Sequence, residues 1–99
     1  MNFITLTTDF GYKDFSVAIT KAAIYKNIKD VLVVDISHQI SPYNNTQAAY
    51  VLKNSYKSFP EGTIHIIGVE SELTPENSHI AMSFNNHYFI GANNGIFSL

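Results

Sequence analysis

The chain has 99 residues, a length that suits one small domain and is too short for two cores of ordinary size. Hydrophobic residues make up 45% of it and charged residues 14%, which excludes a disordered chain. All six basic residues are lysines, scattered through a chain of net charge -2, so there is no basic stripe for nucleic acid, and with no cysteine there is no disulfide or thiolate metal site.

The opening Met1-Asn2-Phe3-Ile4-Thr5 lacks a charged stretch followed by a long apolar run, and no segment is apolar enough to span a bilayer. The expected location is cytoplasmic, with no membrane partner. Phe3 to Thr8 alternates apolar residues with threonine, the pattern of a strand. Asp9 to Lys13 predicts a loop in which Gly11 can take a turn that other residues resist. From Asp14 or Ser16, both good N-cap residues, a helix is expected to about Asn27, with Ala18, Ile19, Ala22 and Ala23 as the side that lies on a sheet. Val31 to Ile36 is a continuous apolar run ending in polar residues, which predicts a parallel strand buried on both faces. Ser41 to Asn45 predicts a loop, Thr46 to Tyr56 a second helix, and Thr63 to Val69 a third strand. Residues 70–78 predict a polar loop, and His79 to Phe84 with His87 to Ala92 predict a hairpin around Asn85-Asn86. The chain stops at Gly95-Ile96-Phe97-Ser98-Leu99 inside an apolar run, which suggests a piece of a longer protein.

This order predicts an α/β fold: a doubly wound, mostly parallel sheet with helices on both faces and an added antiparallel hairpin. In such sheets ligands bind beyond the carboxyl ends of the strands. Three stretches fall there: Asp9 to Ser16, Ser37 to Tyr43, and the loop after Val69. Asp9 and Asp14, with Ser16 at a helix start, could hold ribose hydroxyls and an amino-acid head group. Against that, Asp14 or Ser16 could simply cap the helix, and Asp9 could form an Asx turn. Tyr43 could stack on a base or ribose, or be an exposed loop residue. Asp35 and His38 flank the end of the second strand, but His38, His65, His79 and His87 lack metal-ligand spacing and read as ordinary strand and loop histidines. The five glycines form neither a GxGxxG nor a P-loop, and there is no nucleophile elbow.

Four segments in order carry a more specific signal: Ile4-Thr5-Leu6-Thr7-Thr8-Asp9-Phe10-Gly11, Val33 to Pro42, Tyr56 to His65, and Ile90-Gly91-Ala92-Asn93-Asn94-Gly95-Ile96. Together they resemble the SAM hydroxide adenosyltransferase and halogenase family. The resemblance implies S-adenosylmethionine as substrate or ligand, with no further cofactor, and displacement at its 5′ carbon by water or halide. By position Asp9 matches the residue on the ribose hydroxyls, Asp14 and Ser16 those on the methionine portion, and Tyr43 an aromatic beside the sugar. It further implies a homotrimer for the complete protein and a C-terminal β-barrel, which this sequence does not contain.

One stretch departs from the pattern. Where the water-using branch has an aspartate, and seven residues on an arginine, this chain has Glu70 and Asn77. These two become the catalytic candidates by position, and the substitutions predict slow or absent hydrolysis. The sequence therefore reads as an S-adenosylmethionine-binding relative of the adenosine-forming SAM hydrolases. Alternatives are a non-catalytic nucleoside-binding or subunit-association module and, less favoured, a halogenase. Halogenating relatives carry a long insertion where this chain has only Asn85-Asn86, and a tyrosine and threonine where it has Glu70 and Leu73.

Overall fold

The computed structural model describes residues 2–42, 44–69 and 79–92. Strand β1 (Asn2–Thr8) leads into helix α1 (Ser16–Asn27), strand β2 (Val31–Ser37) and helix α2 (Asn45–Lys53). A 3-10 turn (Tyr56–Ser58) precedes β3 (Ile64–Gly68), and β4 (His79–Phe84) and β5 (His87–Ala92) form the hairpin. The five strands make one sheet in the order β2-β1-β3-β5-β4. All neighbours are parallel except β4 and β5.

Alternation along β1 sorts the sheet into two faces. Ile4 and Leu6 point to one side, where they cluster with Val33 and with Ile24 of α1. Thr5 and Thr7 point to the other, in register with His65 and Ile67. There Ala48, Ala49 and Leu52 of α2 pack with Ile67, Val69 and Phe89. The two helices thus cover opposite faces, as the doubly wound pattern requires.

Three expectations are corrected. Neither Asp14 nor Ser16 is the N-cap of α1: that place is taken by Phe15, with no side-chain cap bond. Asp14 instead accepts a hydrogen bond from the backbone N–H of Ser16 at 2.9 Å, an Asx-type turn just ahead of the helix. Nor does the alanine side of α1 meet the sheet. Val17 is buried and Thr20, Lys21 and Ile24 are half-buried, whereas Ala18, Ile19, Ala22 and Ala23 are exposed. The helix docks along the 17-20/21-24 stripe because Lys21 bonds Asp35 on that face of β2 while Ile24 enters the Ile4 cluster. Finally, β2 is not buried on both faces. It pairs only with β1 among the described residues, and Leu32 is exposed.

Elsewhere local chemistry explains the ends of the elements. Asn44 caps α2 by accepting from the N–H of Gln47, whose side chain accepts in turn from Ser41 N–H. The helix stops at Lys53 and not Tyr56, since Asn54 and Ser55 turn their side chains back onto the carbonyls of Tyr50 and Val51. At the hairpin, Asn85 and Asn86 have φ of 51° and 64°, the two positive values of a type I′ turn.

Candidate functional site

Because β1, β2, β3 and β5 run in one direction, their carboxyl ends Thr8, Ser37, Gly68 and Ala92 share one edge of the sheet. The segment after β1 is tied across that edge. Asp9 N–H donates to the carbonyl of Gly68 at 3.3 Å, Gly11 N–H to that of His38 at 2.7 Å, and Ile40 N–H to that of Thr8 at 3.2 Å. Gly11 has φ +70°, a conformation suited to glycine. Gly68 serves differently: a Cβ there would lie 3.0 Å from the Phe10 ring and 3.1 Å from Thr8 Cγ2. A side chain there would press on the Phe10 ring and the Thr8 methyl where the ends of β1 and β3 meet.

Asp9 is half-buried within this tied loop, Ser16 is half-buried at the first turn of α1, and Asp14 is exposed. The bond from Ser16 N–H holds the Asp14 carboxyl below its ordinary value. Three of the sequence-derived candidates therefore belong to one strand-to-helix connection at the carboxyl edge. Tyr43, Glu70 and Asn77 lie outside the described residues.

Beside this loop stands a group built around His38, which the sequence pattern reads as an ordinary strand-end histidine. His38 is buried, and its Nδ1 lies 2.6 Å from Thr8 Oγ1 while its Nε2 lies 2.7 Å from Asp35 Oδ1. Lys21 Nζ donates to the other Asp35 oxygen at 2.8 Å, and the Tyr12 ring meets the imidazole edge-on at 5.2 Å. Burial alone would push the Asp35 carboxyl up, but the bonds from Lys21 and His38 outweigh it and hold it below its ordinary value. The same bond raises the Lys21 amine. The available signal was the Asp35-x-x-His38 spacing at a strand end, joined to a threonine closing the neighbouring strand.

A second buried line crosses the α2 face. His65 Nδ1 is 2.6 Å from Thr5 Oγ1 and its Nε2 is 3.0 Å from His87 Nδ1, with the rings of Tyr56, Phe59 and Phe89 packed around it. Burial, and then the neighbouring His87, lower the His65 imidazole to about 4. It is a neutral core histidine.

Residues 4–99 match the sequence pattern of the SAM hydroxide adenosyltransferase N-terminal domain. The (R)-S-adenosyl-L-methionine hydrolase of Methanocaldococcus jannaschii is 34% identical over 103 residues, covering 99% of this chain and 39% of that protein. A fluorinase of Actinopolyspora mzabensis is 36% identical over 61 residues, covering 62% of this chain and 20% of that protein. The crystal structure of a conserved hypothetical protein from Thermus thermophilus superimposes with a TM-score of 0.86 at 28% identity, over 100% of this chain and 41% of the other. The chain thus spans about two fifths of the hydrolases it matches.

Proposed function

This chain belongs to the SAM hydroxide adenosyltransferase family, and from that premise we propose that the loop between β1 and α1 binds S-adenosylmethionine or adenosine. The observation that carries the proposal is half-buried Asp9 in a loop tied to Gly68 at the end of β3 and to His38 just beyond β2. An ionised carboxylate only accepts, so it suits a ribose diol, which presents two donors side by side. By their positions in the sequence, Asp14 and Ser16 serve the methionine portion and Tyr43 serves the sugar.

In the complete protein the reaction is hydrolysis to adenosine and methionine. The oxygen of water forms a bond to C5′, the C5′–S bond breaks with its electron pair going to sulfur, and the water gives up a proton. Methionine leaves a sulfonium as a neutral thioether, so the leaving group needs no acid. The protein has instead to aim the water and take its proton. Glu70 and Asn77 are the positions for that task. A C-terminal β-barrel supplies the adenine contacts, and the complete protein is a cytoplasmic homotrimer that uses no further cofactor. The scattered lysines speak against nucleic acid as a partner. No helix among the described residues is long and apolar enough to cross a membrane.

Calorimetry of the 99-residue chain with S-adenosylmethionine and with adenosine, alongside chromatography for released adenosine and methionine, tests the reading. Weak binding without turnover is expected. Absence of binding to either ligand would refute the site, and efficient turnover would refute the division of the site between this chain and a barrel. Formation of 5′-fluoro- or 5′-chlorodeoxyadenosine by the complete protein would favour the halogenase alternative.

A further inference from the structure

Lys21, Asp35, His38 and Thr8 form an unbroken line of side chains from α1 to the start of the Asp9 loop, and the chemistry of its members fixes its direction. Lys21 donates to Asp35 Oδ2 at 2.8 Å. The carboxylate can only accept, so the hydrogen on the 2.7 Å contact between Asp35 Oδ1 and His38 belongs to Nε2. At the far end, Phe10 N–H donates to Thr8 Oγ1 at 3.2 Å. The Thr8 oxygen is therefore an acceptor there, and its own hydroxyl hydrogen is available for His38 Nδ1 at 2.6 Å. The hydroxyl hydrogen of Thr8 finds its acceptor when the His38 ring carries a proton on Nε2 and none on Nδ1. Thr8 and His38 are each only 1% exposed, so solvent cannot stand in for a missing partner.

This line grips the loop at the two successive peptide groups that follow Asp9. The ring of His38 acts through Thr8 on Phe10 N–H, and the carbonyl of His38 accepts from Gly11 N–H at 2.7 Å. Packing alone does not call for such a line, since apolar side chains in place of His38 and Thr8 would fill the space without burying polar groups that need partners. Nor is Thr8 a nucleophile. Its hydroxyl is buried, and the N–H of Phe10 draws on its lone pair.

We infer that His38, oriented by Asp35 and Lys21 and acting through Thr8, is a positioning residue that sets the backbone of the loop presenting Asp9 to the ribose. The inference rests on the ribose reading of Asp9 only for its effect on ligand affinity. None of the four side chains need touch the ligand.

Nitrogen NMR of the unmodified chain and paired substitutions at Thr8 test this. In the unmodified protein, the His38 ring should show a protonated Nε2 and an unprotonated Nδ1 at neutral pH. Thr8→Val keeps the size but removes the oxygen. The Phe10 and Gly11 amides should then exchange at least about tenfold faster and the Kd for adenosine should rise about tenfold, the equivalent of one ordinary hydrogen bond. The amides of Ile66 and Phe89 should be unaffected, and Thr8→Ser should restore both properties. A protonated Nδ1 in the unmodified protein would overturn the inference without any variant having to fold. So would unchanged Phe10 and Gly11 exchange in Thr8→Val, or a uniform acceleration of every amide. If the unmodified chain binds no adenosine, the proposed function fails, while the tautomer and the exchange pattern still decide whether His38 holds the loop.

Discussion

Asp9→Asn keeps the shape of the side chain and removes the charge that makes it a strong acceptor for two hydroxyls. Adenosine binding by the complete protein should weaken by about 1.5–3 kcal/mol, the range for hydrogen bonds to a charged group, with Tm almost unchanged. Calorimetry and a melting curve on the same sample distinguish this from an Asx-turn role, which would reverse the pattern. His65 makes a different prediction. Its folded value of about 4 lies below the ordinary 6.5, so the unfolded chain takes up its proton first. Its contribution to stability is therefore complete above about pH 6.5 and declines as pH falls towards 4, by roughly 1–3 kcal/mol at about 1.4 kcal/mol per pH unit. Thermal melts between pH 7 and 4.5 should slope downward more for the unmodified chain than for His65→Gln, and parallel profiles would refute the assignment. Asp9 could be picked out from sequence because its place after a first strand is itself the signal. His38 is marked only by the Asp35-x-x-His38 spacing, since its partner Thr8 lies 30 residues away, and His65, whose partner Thr5 lies 60 residues away, carries no mark at all.

Local patterns defined the hairpin to the residue: His79–Phe84 and His87–Ala92 follow from alternating side chains on either side of two asparagines that tolerate positive φ. They failed where a neighbour decides. The apolar residues of α1 are spread around the helix, so the face that docks is chosen by Asp35 and Ile4 on strands the helix sequence does not contain. Likewise the apolar run of β2 carries no mark of having one neighbour in place of two. Gly68 went unnoticed for a similar reason, since its need for a bare Cα arises from Phe10 and Thr8. Gly68→Ala should therefore destabilise the fold by about 1–3 kcal/mol, as overpacking does, and should displace the Phe10 ring. Urea denaturation measures the first effect, and ring NMR shifts of Phe10 the second. A variant as stable as the parent, with Phe10 unmoved, would mean that the two strand ends have slack the distances do not suggest.

Across the whole molecule the two faces of the sheet are unequally finished. On the α2 side Ile67, Val69 and Phe89 are buried, whereas on the α1 side Tyr88 and Ile90 of β5 remain exposed and Ile64 and Ile66 are half-buried. The chain corresponds to about two fifths of its hydrolase relatives, so the prediction about activity concerns the complete protein. On the roles proposed above, Glu70 takes the place of an aspartate, and its extra methylene has to be absorbed elsewhere. On the same proposal, Asn77 takes the place of an arginine and supplies no guanidinium to favour the ionised form of that carboxylate. No other position in these 99 residues supplies a guanidinium, because the sequence contains no arginine. A displacement of about 1 Å at a reacting group can cost around a hundredfold in rate, so the complete protein should bind S-adenosylmethionine well and hydrolyse it slowly or not at all. The repair is Glu70→Asp combined with Asn77→Arg, assayed for adenosine release beside the unmodified protein at saturating substrate. A gain in rate of about tenfold or more with unchanged KM would identify an intact binding platform with an impaired water-activating pair. Fast hydrolysis by the unmodified protein, lost on repair, would instead make Glu70 a competent base that needs no guanidinium beside it.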